Sequence, residues 1–144
     1  MKILKIKTIK RLLGNYGERQ ARRFLKRSGY KIVKRNFVAD SHEIDIIAES
    51  GDTVVFVEVK TRTVGCEHPM EPRPASSVDA EKQRGIISAA RIYSAFNPKN
   101  KKNRFDVIEV YVNSNNGRYS VAEIKHLKNT FNFNTAFSKI RKEG

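Results

Sequence analysis

A sharp turn at Gly51-Asp52 constrains the fold of this chain more than any other feature. It joins two runs rich in β-branched and aliphatic residues, His42–Ala48 and Thr53–Lys60. Gly followed by Asp at such a junction is typical of a two-residue hairpin turn of type II′. That turn pairs Ser50 with Thr53 and thereby sets the register of the whole hairpin. The sequence therefore predicts two adjacent antiparallel strands here.

Acidic side chains interrupt both strands of this hairpin. The register predicts that Asp45 lies directly opposite Glu58 and that Glu43 lies opposite Lys60, all on one face of the sheet. Like charges in such a pair repel each other, so we expect a cation between them. Three carboxylates, Asp45, Glu58 and Glu43, form a hard-oxygen site that suits Mg²⁺ or Mn²⁺. With Lys60 orienting an attacking water or neutralising developing charge, this site predicts phosphodiester hydrolysis. The alternative is a structural network in which Lys60 neutralises the acids.

The charge balance points to a polyanionic partner. The chain has 29 Lys and Arg against 15 Asp and Glu, a net charge of +14. Such an excess attracts nucleic acid, although a solubilising surface or a ribosome-associated protein would also account for it. We expect contacts to a nucleic-acid backbone from eight side chains: Arg19, Arg22, Arg23, Lys26, Lys82, Gln83, Lys101 and Lys102.

The remaining bulk features predict one domain, 1–144, in the cytoplasm. Cys66 is the only cysteine, so the chain has no disulfide framework. Residues 1–13 alternate Lys with aliphatic residues and lack the continuous apolar core of a signal peptide. We therefore expect a basic N-terminal arm over 1–13 and no membrane partner.

Hydrophobic patterning predicts an α/β fold. Val54 and Phe56 on one face, and Val55 and Val57 on the other, indicate a central strand that is covered on both sides. Glu18 shares the apolar face of the first helix, where it either contributes to the site or interacts with the helix dipole. The predicted order is α-β-β-β-α-β-β, a mixed central sheet flanked by helices. Its elements are helix Asn15–Ser28, strand Tyr30–Val38, the hairpin, a loop over Thr61–Val78, helix Asp79–Phe96, strands Asn103–Val112 and Arg118–Leu127, and a tail over 128–144 that packs back on the domain.

Three segments resemble the YraN family of bacterial proteins: GNYGERQARRFLKRSGYKIVKRN, HEIDIIAESGDTVVFVEVKTR and EKQRGIISAARIY. The resemblance implies a restriction-endonuclease-like fold, related to Holliday junction resolvases, and a nuclease site of the PD-(D/E)xK type. Asp45, Glu58 and Lys60 match its acid and Glu-x-Lys elements, and Glu18 matches the helix acid of the resolvase-like branch. Where the family usually has Gly before Glu-Ile-Asp, this chain has His42.

These features together predict a metal-dependent endonuclease. By resemblance its substrate is DNA with a branched or other structured form, and a homodimer would suit action on two strands. Glu43, Lys82 and Gln83 also match family positions. The alternatives are a nucleic-acid-binding protein that keeps the nuclease fold without catalysis, and an assembly factor whose tail docks a partner.

Overall fold

The structure, a computed structural model, describes residues 2–65, 78–99 and 101–137. Its elements are α1 (Lys2–Arg27), β1 (Lys31–Ala39), β2 (His42–Ser50), β3 (Thr53–Thr63), α2 (Ala80–Phe96), β4 (Lys102–Asn115) and β5 (Arg118–Phe131). A short helical segment, 133–137, follows β5. The predicted order α-β-β-β-α-β-β and the mixed α/β class are confirmed.

The five strands form one sheet in the order β1-β2-β3-β4-β5. β3 and β4 are parallel, and the other neighbouring strands are antiparallel. A parallel pair needs a long crossover, which here includes α2. β3 is the middle strand and its segment Val54–Val57 is buried, as its two apolar faces predict.

One helix covers each face of the sheet. On one face, the α1-side core joins Ala21 and Leu25 of α1 to strand residues such as Val57. On the other, the α2-side core joins Ile86 and Ala90 of α2 to a second set of strand residues that includes Phe56. Because the charged end of β3 lies between two covered faces, the helices limit how solvent and ligands reach it.

The hairpin has the predicted register. Its ladder begins with Ser50 opposite Thr53 and continues to Ile46 opposite Val57. Gly51 has a φ of +58°, which the first central position of a type II′ turn requires and which a side chain disfavours. The local turn chemistry therefore fixes which residues of β2 and β3 face each other.

Helix α1 begins well before the predicted start at Asn15 and takes up most of the predicted basic arm. Residues 2–13 contain no Pro or Gly, and their Lys, Leu and Arg residues favour helix. Ile6, Ile9 and Leu12 are largely exposed there, whereas the second half of α1 packs on the sheet. The arm is thus a helical extension beyond the sheet contact.

Strands β2 to β5 are longer than predicted, and the tail contributes to the core. β3 continues to Thr63, into the predicted loop, of which 66–77 lie outside the described residues. In the described part of the tail, Ala136 is buried and its carbonyl accepts a hydrogen bond of 3.2 Å from Arg84 of α2. Residues 138–144 lie outside the described ranges. Among the residues that the structure describes, no helix is both long and apolar enough to span a bilayer.

Candidate functional site

Asp45 lies where the ladder between β2 and β3 ends. The final pair of that ladder joins Ile46 to Val57. Beyond it, the Asp45 carboxylate accepts a hydrogen bond from the Val59 backbone N–H, with Oδ2 and N 2.8 Å apart. The side chain thus satisfies a donor of the central strand. The predicted cross-strand pairing of Asp45 with Glu58 is replaced by this side-chain contact.

An irregularity in β1 and β2 accounts for this arrangement. Asn36 of β1 has a left-handed φ of +51° and lies between the pairs that β1 forms with Ile44 and Ile46, and so opposite Asp45. In a regular strand Ile44 and Ile46 would share a face. Instead Ile44 packs in the α2-side core and Ile46 in the α1-side core. The prediction of one regular face through Glu43 and Asp45 is therefore wrong, because side-chain alternation breaks at Asp45.

Asp45 and Glu58 still meet as a buried acidic pair. Glu58 is only 4% exposed. Burial of Asp45, together with the negative charge of Glu58 and a hydrogen bond between the two carboxyl groups, raises the pKa of Asp45 to about 8. Burial and the charge of Glu58 thus favour the protonated form of Asp45. A carboxyl group with so strongly raised a pKa is typical of functional sites.

Two lysines reach the same pair from different elements. Lys82 Nζ lies 2.8 Å from Glu58 Oε1, and Lys60 Nζ lies 3.7 Å from the same oxygen. Lys82 comes from the first turn of α2, whose N-cap is Asp79. Although burial disfavours the charged amine, the carboxylates of Glu58, Asp45 and Asp79 hold the pKa of Lys82 above its usual value. The structure therefore brings Asp45, Glu58, Lys60 and Lys82 together.

Glu18 and Glu43 form a second acidic pair beside the first. With its amide oriented to suit its surroundings, Asn36 donates to Glu18 Oε2 (3.3 Å) and to Glu43 Oε1 (3.1 Å). Burial, followed by the charge of Glu43, raises the pKa of Glu18. Helix α1 can approach β3 closely here because Gly17 has no side chain. A Cβ at this position would overlap the Thr61 side chain. The predicted carboxylates thus lie as two neighbouring pairs. Within residues 2–65, 78–99 and 101–137, no three His, Cys, Asp or Glu side chains form a group that could hold a metal ion.

The acidic pairs border two clefts. One, of about 370 Å³, lies between the start of β2 and the start of α2 and is lined by His42, Asp45 and Lys82, among others. The other, of about 430 Å³, lies beside α1 and is lined by Lys10, Glu18, Lys60 and Arg62, among others. The charged end of β3 is therefore accessible, as expected for a binding site.

The residues predicted to contact a nucleic-acid backbone do not form one surface beside the carboxyl pair. Gln83 donates from Nε2 to the Val78 carbonyl at 2.8 Å and so stabilises the start of α2. Lys101 forms an ion pair with Glu49 at 3.0 Å. Lys102 lies opposite Thr53, about 23 Å along the strand from Lys60. Lys101 and Lys102 are therefore separated from the Asp45–Glu58 carboxyl pair.

The predicted cations of α1 lie on the helix that carries Glu18. Arg19, Arg23 and Lys26 are exposed, and Arg22 is partly buried. Burial first, and then the positive charge of nearby Arg35, lower the pKa of Arg22. The sequence analysis missed Arg35, and it also missed Asn36 and the buried Glu109 with its partner Arg62. Asn within a strand run, and Glu within the apolar run of β4, were the available signals.

These features define a mixed α/β domain with a cluster of carboxylates and lysines at the end of its central strand. The model of the Uncharacterised protein family UPF0102 matches residues 17–110. A UPF0102 protein of Caldicellulosiruptor saccharolyticus is 44% identical over 124 residues, which cover 85% of this chain and 98% of that protein. One of Caldanaerobacter subterraneus is 39% identical over 126 residues, 87% of this chain and 98% of that protein. The chain therefore belongs to the UPF0102 family, and the resemblance to the YraN family is confirmed.

Proposed function

We propose that this protein is a metal-dependent endonuclease that hydrolyses phosphodiester bonds of DNA, in branched or other structured form, in the cytoplasm. One observation carries the proposal: Asp45 and Glu58 form a buried carboxyl pair at the open end of the central strand. The chain's net charge of +14 supports a polyanionic substrate. The restriction-endonuclease-like fold and the branched form of the substrate follow from the family resemblance alone.

The donor set fits a hard divalent cation. Mg²⁺ usually binds one or two carboxylates while keeping waters and substrate phosphate oxygens, and Mn²⁺ accepts similar ligands. Burial and the negative charge of Glu58 raise the pKa of Asp45, so a cation bound there would stabilise its ionised form. Asp45 and Glu58 would hold the ion, and Glu18 and Glu43 would support it from the neighbouring pair. When bound, such an ion lowers the pKa of a coordinated water and stabilises negative charge on phosphoryl oxygens.

The two lysines have separate tasks in this proposal. Lys60 lies beside Glu58 with a partly exposed side chain, so its ammonium orients the attacking water or neutralises the charge that develops on the phosphate. The Lys82 side chain is 48% exposed, so its ammonium can leave Glu58 for a phosphate oxygen of the substrate. Asp45 keeps its place through the hydrogen bond from Val59.

A cleavage assay tests the proposal. End-labelled junction, flap, duplex and single-stranded DNA are incubated with Mg²⁺ or Mn²⁺ and the products are separated on denaturing gels. We expect the double variant Asp45→Asn, Glu58→Gln to lose cleavage by about a hundredfold or more. Asp52→Asn removes an acid at the other end of the same hairpin and should leave cleavage unchanged. Full activity in the double variant would refute the assignment.

One observation favours a second function, nucleic-acid binding without catalysis. The 2.8 Å ion pair between Lys82 and Glu58 already gives one carboxylate of the pair a cation. In this alternative no metal binds, and the basic surface alone contacts the backbone. Calorimetric titration with Mn²⁺ separates the two functions. DNA binding in the absence of any Mn²⁺ binding would favour the alternative and remove the metal site.

A further inference from the structure

Glu109 is a buried acid that the proposed metal site does not use. It is 4% exposed and lies in β4, opposite Lys60 of β3 in the parallel register. Its Oε2 is 3.6 Å from Nε of Arg62 and accepts a hydrogen bond of 3.0 Å from the Tyr111 hydroxyl. Buried acids are retained in proteins when they are paired, and here the pairing fixes an arginine.

The arginine lies in line with the candidate metal site. Strand alternation places Glu58, Lys60 and Arg62 on one face of β3, with neighbours about 6.6 Å apart. That spacing is comparable to the distance between successive phosphates of a nucleic-acid strand. The Arg62 side chain is 20% exposed and shares with Glu58 the face of β3 on which Phe56 packs against α2. Arg62 is therefore about 13 Å along β3 from Glu58, and a nucleic-acid strand whose reacting phosphate lies at Glu58 would bring the second phosphate along towards Arg62.

We propose that Arg62 binds the second backbone phosphate along from the scissile phosphate, and that Glu109 and Tyr111 are positioning residues for its guanidinium. This inference rests on the proposed nucleic-acid substrate. A guanidinium has five N–H donors, so an ion pair through Nε is compatible with binding a second anion. Its planar fork matches two phosphate oxygens. An arginine that a buried carboxylate already holds loses less conformational freedom on binding.

Fluorescence anisotropy with a labelled four-way DNA junction in EDTA tests this inference without cleavage. Arg62→Gln should weaken binding about tenfold, the ratio that one hydrogen-bonded charged contact supports. Between about 50 and 200 mM NaCl it should also reduce the slope of log K against log salt by about 1. Lys31→Gln removes a charge at the far end of β1 and should change binding much less. If Arg62→Gln fails to fold, Arg62→Lys replaces it, with a smaller expected loss.

If Glu109 positions Arg62, removing the charge of Glu109 should weaken DNA binding, although the change in net charge alone would strengthen it. Glu109→Gln makes the protein more cationic, yet it should weaken junction binding because Arg62 loses its anchor. Asp52→Asn makes the same charge change at a distant site and should leave binding equal or tighter. In an Arg62→Gln background, Glu109→Gln should have no further effect, whereas a merely structural residue would still weaken binding.

The outcomes separate this inference from the proposed function. If the unsubstituted protein does not bind the junction, both fail. If it binds and Arg62→Gln behaves like Lys31→Gln, the phosphate contact is refuted while the nuclease proposal stands. If Glu109→Gln weakens binding equally in both backgrounds, Glu109 is not a positioning residue.

Discussion

Replacing Asp45 by Asn should remove the pH dependence of stability that this residue imposes. In the folded protein the pKa of Asp45 is about 8, against an ordinary value of 3.8. Between these values the folded state holds a proton that the unfolded chain releases, so the free energy of unfolding falls as pH rises. At about 1.4 kcal/mol per pH unit the ceiling is near 6 kcal/mol. Because solvent partly reaches Asp45, we expect about half of that.

Urea unfolding in EDTA at pH 5, 7 and 9 measures the effect. The Asn side chain keeps an oxygen that can accept the hydrogen bond from the Val59 N–H, but it cannot ionise. The Asp45→Asn variant should therefore lose little stability between pH 5 and 9. At pH 9 it should be more stable than the unsubstituted protein. Excess Mn²⁺ should stabilise the unsubstituted protein at pH 9 through preferential binding to the folded state, and should not stabilise the variant.

Asp106→Asn is the matched control with the opposite sign. Although burial alone would raise it, hydrogen bonds from His126, Arg104 and the Asn129 N–H hold the pKa of Asp106 below its usual value. The contribution of Asp106 is thus present at neutral pH and disappears as pH falls through this lowered value. Asp106→Asn should therefore destabilise about equally at pH 5, 7 and 9, and less only as pH falls below the ordinary pKa of 3.8. Parallel pH profiles for Asp45→Asn and the unsubstituted protein would refute the reasoning for Asp45.

Two further predictions concern close helix contacts. Gly17→Ala should destabilise by about 1 to 3 kcal/mol because its Cβ overlaps the Thr61 side chain, and Thr61→Ala should recover part of that loss in urea unfolding. Additive effects of the two substitutions would contradict this contact. A Cβ at Gly85 of α2 would meet the His42 ring, so Gly85→Ala should stabilise by about 1 kcal/mol in a His42→Ala background, through helix propensity, and by less in the unsubstituted protein. Equal stabilisation in both backgrounds would show that the ring does not restrict this position.

Local turn chemistry explains why the hairpin could be predicted from the sequence. Gly51 fixes the turn, and the period of two then carries the register as far as Ile46. The same period fails at Asp45, because the left-handed Asn36 on the neighbouring strand shifts the faces. An Asn in a strand run signals such a conformation only weakly, since most strand residues remain regular.

The length of α1 was missed for a different reason. Its first residues alternate Lys with aliphatic residues, which resembles a strand or an unstructured arm. The helical signal was the stripe of Ile6, Ile9, Leu13 and Tyr16, but its first two members remain largely exposed and provide no core contact. Pairing of Arg62 with Glu109 could not be predicted either, because it depends on the register of parallel strands that α2 separates in sequence.

Two acids in one domain show what distinguishes the candidate site. Asp106 is 0% exposed, and the fold surrounds it with Arg104, His126 and a backbone N–H, so its charge is stabilised. Asp45 receives one backbone N–H and faces Glu58, so its charge is destabilised. The charge of Asp106 is thus compensated by its neighbours, whereas the charge of the Asp45–Glu58 pair beside the cleft is compensated only in part. Such a contrast is typical of residues retained for binding or chemistry, at a cost in stability. It supports a role for Asp45 in receiving a cation.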